Sequence, residues 1–214
     1  MQSRSRTIPG RPLMTQSILP ADQALPGLGG ATRFEGAHFD DADALAERLV
    51  GFALEKRIRL ATAESCTAGL IAHMLSRPAG SASVLVGGFV TYTKDAKTRL
   101  LGVSPDLFGA AGAIDPDVAK VMARGALERS GADCAIAVTG VTGSEPDEDG
   151  NPIGRVFTGL ATPQGTYALH CEFGALAAKA LTHLAVQAAL LFALARLGER
   201  RARDTLAHAA QAGR

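Results

Sequence analysis

Between residues 41 and 197 the sequence keeps changing its hydrophobic period, as short, almost wholly apolar runs alternate with longer segments whose apolar residues recur every three or four positions. A short continuous apolar run fits a strand buried on both faces, and a 3.6-residue period fits a helix with one buried face. "DDADALAERLVGFALEKR" is helical, with an aspartate cap and Leu45, Leu49, Phe52 and Ala53 on one face. "IRLATA" is a strand, "CTAGLIAHMLSR" a helix, "SVLVGGFVTY" a strand weakened by Gly87 and Gly88, and "DAKTRLLG" one or two helical turns. Asp115 and Pro116 open a helix that stops at Gly131, the residue types that favour those positions. "DCAIAVTG" then gives a buried parallel strand, followed by a polar loop from Gly140 to Pro152. "GRVFTGLAT" and "TYALHCEF" form a hairpin across "PQG", and a long apolar helix from about Ala175 to Leu197 closes the domain. Such alternation predicts an α/β domain over residues 41–197: a three-layer α/β/α sandwich around a mixed, mostly parallel sheet.

The flanks differ. Residues 1–40 hold four of the ten prolines and no sustained period, and predict an irregular extension; residues 198–214 predict a flexible tail. Arg4, Arg6 and Arg11 precede Met14, but the apolar segment of a secretory signal is missing. With 22 basic against 21 acidic residues there is no global field for nucleic acid or an anionic membrane. No stretch reads as a transmembrane span, and a cytoplasmic protein is expected. Cys66, Cys134 and Cys171 are odd in number and far apart, which predicts reduced thiols rather than a disulfide framework or a zinc site. No two histidines are spaced as a ligand pair, so neither a metal nor another cofactor is expected. Apolar positions on the long final helix, if exposed, would allow a homodimer.

In a sheet of this kind ligands bind outside the carboxyl ends of the strands. Three polar segments should gather there: "AESCT", "TYTKDAK" and "TGVTGSEPDEDGNPIG". Ser65 sits on a strand-to-helix turn, where it is either a helix cap or a nucleophile whose oxyanion meets free helix N–H groups. No G-x-S-x-G or S-x-x-K pattern surrounds it. A lysine with its pKa lowered by burial could serve as base; Lys94 and Lys97 are the candidates, and Ala96, Leu100 and Leu101 make Lys97 the more enclosed. Cys66 competes as nucleophile at the same helix end, or fills space. Glu64 either pins the turn or carries a proton. The glycines of the 140–152 loop could cradle an anion, unless Glu145, Asp147, Glu148 and Asp149 face inward and repel it.

Taken together, "TAESCTAGLIAHMLSRPAGSASVLVGGFVTYTKDAKTRLLGV", "GAIDPDVAKVMARGAL" and "AVTGVTG…PIGRV" resemble the CinA C-terminal domain family, whose active members are nicotinamide-nucleotide amidohydrolases. The resemblance covers about residues 41 to 197 and is to the standalone form, without the large N-terminal domain of longer members. It implies Ser65 as nucleophile, Lys97 as base and Tyr92 as proton relay. The substrate would be held by Glu64, Cys66, Thr67, Thr139, Gly140, Gly143 and Arg155. The implied reaction converts nicotinamide mononucleotide and water into nicotinate mononucleotide and ammonia, with no metal.

The chain departs from the family in two places. Members commonly read T-G-I-A-G-P-G-G-G where this chain has "TGVTGSEPD", which trades glycines for acids and puts Thr142 in place of a small residue. A G-D-R-like segment before the last helix is "FGALAAK" here, leaving Lys179 and Arg155 as the basic residues available to replace its charge. Besides the nucleotide amidohydrolase, the sequence therefore leaves open a catalytically silent nucleotide-binding or interaction protein, and a Ser–Lys amidase with a different, unphosphorylated substrate.

Overall fold

The computed structural model describes residues 41–198 together with Ala202, Arg203 and Leu206. The expectations for residues 1–40, and most of those for the tail, lie outside the described residues. The elements run α1 (Ala42–Lys56), β1 (Leu60–Glu64), α2 (Leu70–Ser76), β2 (Leu85–Val90), α3 (Lys94–Leu101), α4 (Pro116–Ser130), β3 (Cys134–Gly140), β4 (Arg155–Thr162), β5 (Gly165–Glu172) and α5 (Ala178–Arg196).

The five strands lie in the order β2-β1-β3-β4-β5. β1 pairs in parallel with β2 and β3, and β4 pairs antiparallel with β3 and β5. Only β4 therefore runs against the others, and the sheet is mixed and mostly parallel. Successive residues of a strand face opposite sides, and here the two sides differ in size. Leu60, Cys134, Ile136 and Val138 enter the core shared with α1, α2 and α5, whereas Ala61, Ala63, Ala135 and Ala137 face α4. The small side lets α4 lie close to the sheet. A Cβ added at Gly159 of β4 would overlap the Ala119 carbonyl of α4, and one at Gly125 of α4 would overlap the carbonyl of Leu101.

The last helix corrects one expectation. α5 has 19 residues and a mean hydropathy of 1.5, enough to cross a bilayer by length and composition alone, although no such stretch was expected. Its apolar side chains are spent on the core instead: Leu181, Leu190, Leu191, Phe192 and Leu194 are all buried. Among the described residues the exposed large hydrophobic side chains are Leu54, Val86, Val90, Tyr92, Leu100 and Leu176, of which Leu176 lies just before α5 and none within it.

Because β1, β2 and β3 are parallel, their carboxyl ends open on one edge of the sheet. The segments that follow them meet there.

Candidate active site

The turn after β1 is organised by one carboxylate. Glu64 is fully buried. Its Oε2 accepts from the Thr67 hydroxyl at 2.7 Å and from the N–H groups of Gly69 and Ile71 at 3.0 and 2.9 Å. Its Oε1 accepts from the Thr62 hydroxyl at 3.1 Å and the Ala72 N–H at 2.8 Å. A carboxylate that accepts from five donors fixes the chain around it. α2 is consequently shorter than its sequence predicts. Residues 66–69 make a turn, with Ala68 and Gly69 at φ 50° and 99°, before the helix starts at Leu70. The donors at the start of α2 belong to Glu64, so the expected oxyanion site on the helix end is already filled. Ser65 donates its own N–H to the Val138 carbonyl at 3.1 Å, while those of Cys66 and Thr67 donate to no carbonyl or carboxylate among the described residues.

α3 delivers the second group. Thr93 caps it by accepting from the Ala96 N–H at 3.1 Å. The helical spacing then turns Lys97 and Leu101, four residues apart, to the inner face. Lys97 is 1% exposed, the largest fully buried side chain of the described residues. Its Nζ lies 2.8 Å from Ser65 Oγ, 2.9 Å from the Thr91 carbonyl and 3.3 Å from the Tyr92 carbonyl. Burial pulls its pKa from 10.5 down to about 8; a Cys66 thiolate would raise it and the charge of Lys94 lowers it. The surroundings also aim the amine. A carbonyl oxygen can only accept, so in neutral Lys97 the two N–H bonds point at Thr91 and Tyr92 and the lone pair is left for Ser65.

Ser65 and Lys97 lie on a cavity of about 580 Å³ built from the ends of β1, β2 and β3 and from the loop containing Ala113 and Ile114. This is within the size range of small-molecule sites. Five carboxylates line it: Asp95, Glu145, Asp147, Glu148 and Asp149. Lys94 is the other lysine of its wall, and its Nζ is paired with Glu148 at 2.9 Å and Asp149 at 2.7 Å. These partners, Asp149 first, raise the Lys94 pKa.

The structure brings together some of the expected site residues and separates others. Ser65, Cys66, Tyr92, Lys97, Gly140 and Gly143 all line the cavity. Tyr92 takes part through its backbone carbonyl. Its side chain is 68% exposed, and among the described residues its hydroxyl bonds neither Ser65 nor Lys97, so the expected relay is absent. Glu64 and Thr67 are buried and bonded to each other beneath the turn, where neither can hold a substrate. Thr139 is buried and donates to the Ala113 carbonyl at 2.9 Å, fixing the neighbouring loop. Arg155 pairs with Glu172 at 2.7 Å, away from the cavity. Lys179 is exposed at the start of α5, also outside it. Cys66 is no activated thiol, since burial pushes its pKa up to about 12. Sequence reasoning missed Thr91, whose carbonyl orients the amine, and Asn151, whose amide ties the acidic loop to the Ala111 carbonyl at 3.0 Å. A backbone acceptor leaves no mark in residue type.

A family model described as CinA C-terminal domain matches residues 42–197. A CinA-like protein of Mycolicibacterium gilvum is 46% identical over 129 residues, 60% of this chain and 30% of its own length. A CinA-like protein of Acidobacterium capsulatum is 34% identical over 181 residues, 84% of this chain and 43% of its own length. This chain thus spans less than half the length of either relative. Among solved structures, a competence-damaged protein (CinA) superfamily protein from Escherichia coli has a TM-score of 0.69 at 35% identity, covering 75% of this chain and 94% of its own. A competence/damage inducible protein from Agrobacterium tumefaciens has a TM-score of 0.70 at 36% identity, covering 74% and 98%.

Proposed function

The chain belongs to the CinA C-terminal domain family, and from that premise we propose that it is a serine amidohydrolase in which neutral Lys97 activates Ser65 against a carboxamide of the nicotinamide kind. The observation that carries this reading is the 2.8 Å contact between a buried amine and a hydroxyl at the wall of a cavity. A cap would need no lysine, and a lysine placed only for structure would not be buried with its lone pair facing a serine.

Neutral Lys97 takes the Ser65 proton as Oγ attacks the carboxamide carbon, and the carbonyl electrons move onto oxygen. The backbone N–H of Cys66, the residue after the nucleophile and itself on the cavity wall, is the donor nearest in sequence for that oxyanion. Lys97, now an ammonium bonded to the Thr91 and Tyr92 carbonyls, returns its proton to the departing nitrogen. The C–N bond breaks, ammonia leaves, and the acyl group stays on Ser65. Water then gives a proton to Lys97 and its oxygen to the acyl carbon. Ser65 leaves with the proton, and a carboxylic acid is released. No metal or redox partner enters the balance.

Nicotinamide mononucleotide is the substrate that the family resemblance implies. The five carboxylates on the cavity favour a second reading, the same chemistry on an unphosphorylated amide. A catalytically silent binding protein would need no buried amine, and the 2.8 Å Ser65–Lys97 contact weighs against it. The test is ammonia release from nicotinamide mononucleotide, its nucleoside and nicotinamide by the parent, Ser65→Ala and Lys97→Ala. The expected result is turnover of at least one amide that falls about a thousandfold in both variants. Turnover unchanged in either variant contradicts the assignment, and binding without turnover by the parent favours the silent protein.

A further inference from the structure

The acidic wall of the cavity is built rather than incidental. Asp147 closes its own loop, its Oδ1 accepting from the N–H groups of Asp149 and Asn151 at 3.1 and 2.7 Å and its Oδ2 from the Asn151 amide at 2.8 Å. The same amide reaches the Ala111 carbonyl, which ties the loop to the segment that leads into Ala113 and Ile114 of the wall. Gly112, at φ 57°, leaves room for the Asp149 carboxylate, which a Cβ there would overlap. Asp149 and Glu148 then hold Lys94, and the other lysine of the wall, Lys97, is buried against Ser65 and the Thr91 and Tyr92 carbonyls. Glu145 remains exposed at the same cavity, and neither Arg155 nor Lys179 lines it.

An anionic ester entering this space meets an excess of like charge. In a partly enclosed site such repulsions are far stronger than in bulk water. A cation gains from the same charges. We propose that the cavity selects a carboxamide carried on a positively charged, unphosphorylated framework, a pyridinium carboxamide nucleoside or its N-alkyl analogue, and discriminates against the phosphate ester of the same compound. The proposal rests on the Ser65–Lys97 amide reading for the carboxamide and on the acidic wall for the charge. Glu145 and Glu148 are its specificity-determining residues: both are exposed, and neither bonds the loop's backbone.

Two arms test it. In the first, ammonia release gives kcat/KM for nicotinamide nucleoside and for nicotinamide mononucleotide, with the parent and with Glu145→Gln/Glu148→Gln. The nucleoside should be favoured at least tenfold by the parent, and the double variant should shrink that ratio at least fivefold. A parent that prefers the nucleotide, or a ratio untouched by the double variant, overturns the proposal. In the second, equilibrium dialysis measures the binding of both compounds to Ser65→Ala, which needs no turnover. Binding of the nucleoside at least tenfold tighter than the nucleotide upholds the charge selection even if no amide is cleaved, a result that would sink the amidohydrolase reading alone. Equal or reversed affinities, or no binding of either compound, overturn the selection.

Discussion

Keeping an ammonium buried costs several kcal/mol, and Lys97 is 1% exposed with no carboxylate of the described residues bonded to its Nζ. Its partners suit the neutral amine, and that has two measurable consequences. With a pKa of about 8 in the fold, only about a tenth of the molecules carry the free lone pair at pH 7. The kcat/KM for amide hydrolysis should therefore rise about tenfold per pH unit below 8 and level off above it; a profile flat from pH 6 to 9 contradicts this. The second consequence concerns stability. Below pH 8 both the folded and the unfolded chain bind the Lys97 proton, and the fold bears the full cost of the buried charge. Between about 8 and 10.5 the fold has released the proton and the unfolded chain has not, so stability rises with pH across that window. Relative to Lys97→Met, the parent should gain up to about 3 kcal/mol over the window, read from denaturant midpoints at each pH. A difference that stays constant contradicts the lowered pKa. Lys97 could be preferred over Lys94 in the sequence because its neighbours are apolar. Tyr92 was misjudged because a phenol is visible in the sequence and the carbonyl beside it is not.

At the scale of elements, most helices and strands follow their periods, and the discrepancies trace to side chains that bond backbone. α4 runs from Pro116 to Ser130 under an Asp115 cap, as its sequence predicts. α2 starts at Leu70 rather than near Cys66 because Glu64 collects the N–H groups of Gly69, Ile71 and Ala72 and the left-handed pair at 68–69 breaks the spiral. Periodicity cannot register a carboxylate several residues upstream. Glu64→Gln tests this arrangement: all five of its partners are donors, so an amide NH2 faces at least one of them without an acceptor. The expected loss is about 2–3 kcal/mol by urea denaturation, with turnover reduced as the Ser65 turn loosens. A variant of parental stability would show that Glu64 does not organise the turn.

On the scale of the whole molecule, the sandwich was legible because the sheet's two faces carry different side chains and a parallel strand must be buried on both. The cavity was legible in outline, since three polar segments follow three parallel strands. Its back wall was not: the contacts among Ala111, Ala113, Thr139 and Asn151 join residues 26 to 40 positions apart, and no local pattern encodes them. The tight seating of α4 on β4 carries its own expectation. Gly159→Val would drive its side chain into the Ala119 carbonyl and should cost about 3 kcal/mol in a denaturant titration, while Gly143→Ala, with open space at its Cβ, should leave stability within about 0.5 kcal/mol of the parent. Equal losses would mean that α4 does not pack as closely as described.

Fold, turn and cavity converge on one amine, and its charge can be observed without a substrate. Lysine side chains labelled with 13C at Cε, assigned through Lys97→Met, report the titration of Lys97 by NMR between pH 6 and 11. The account expects a midpoint near 8, well separated from the other lysines. A midpoint at the ordinary value of 10.5 would leave Ser65 without a base at neutral pH and would contradict the account at its centre.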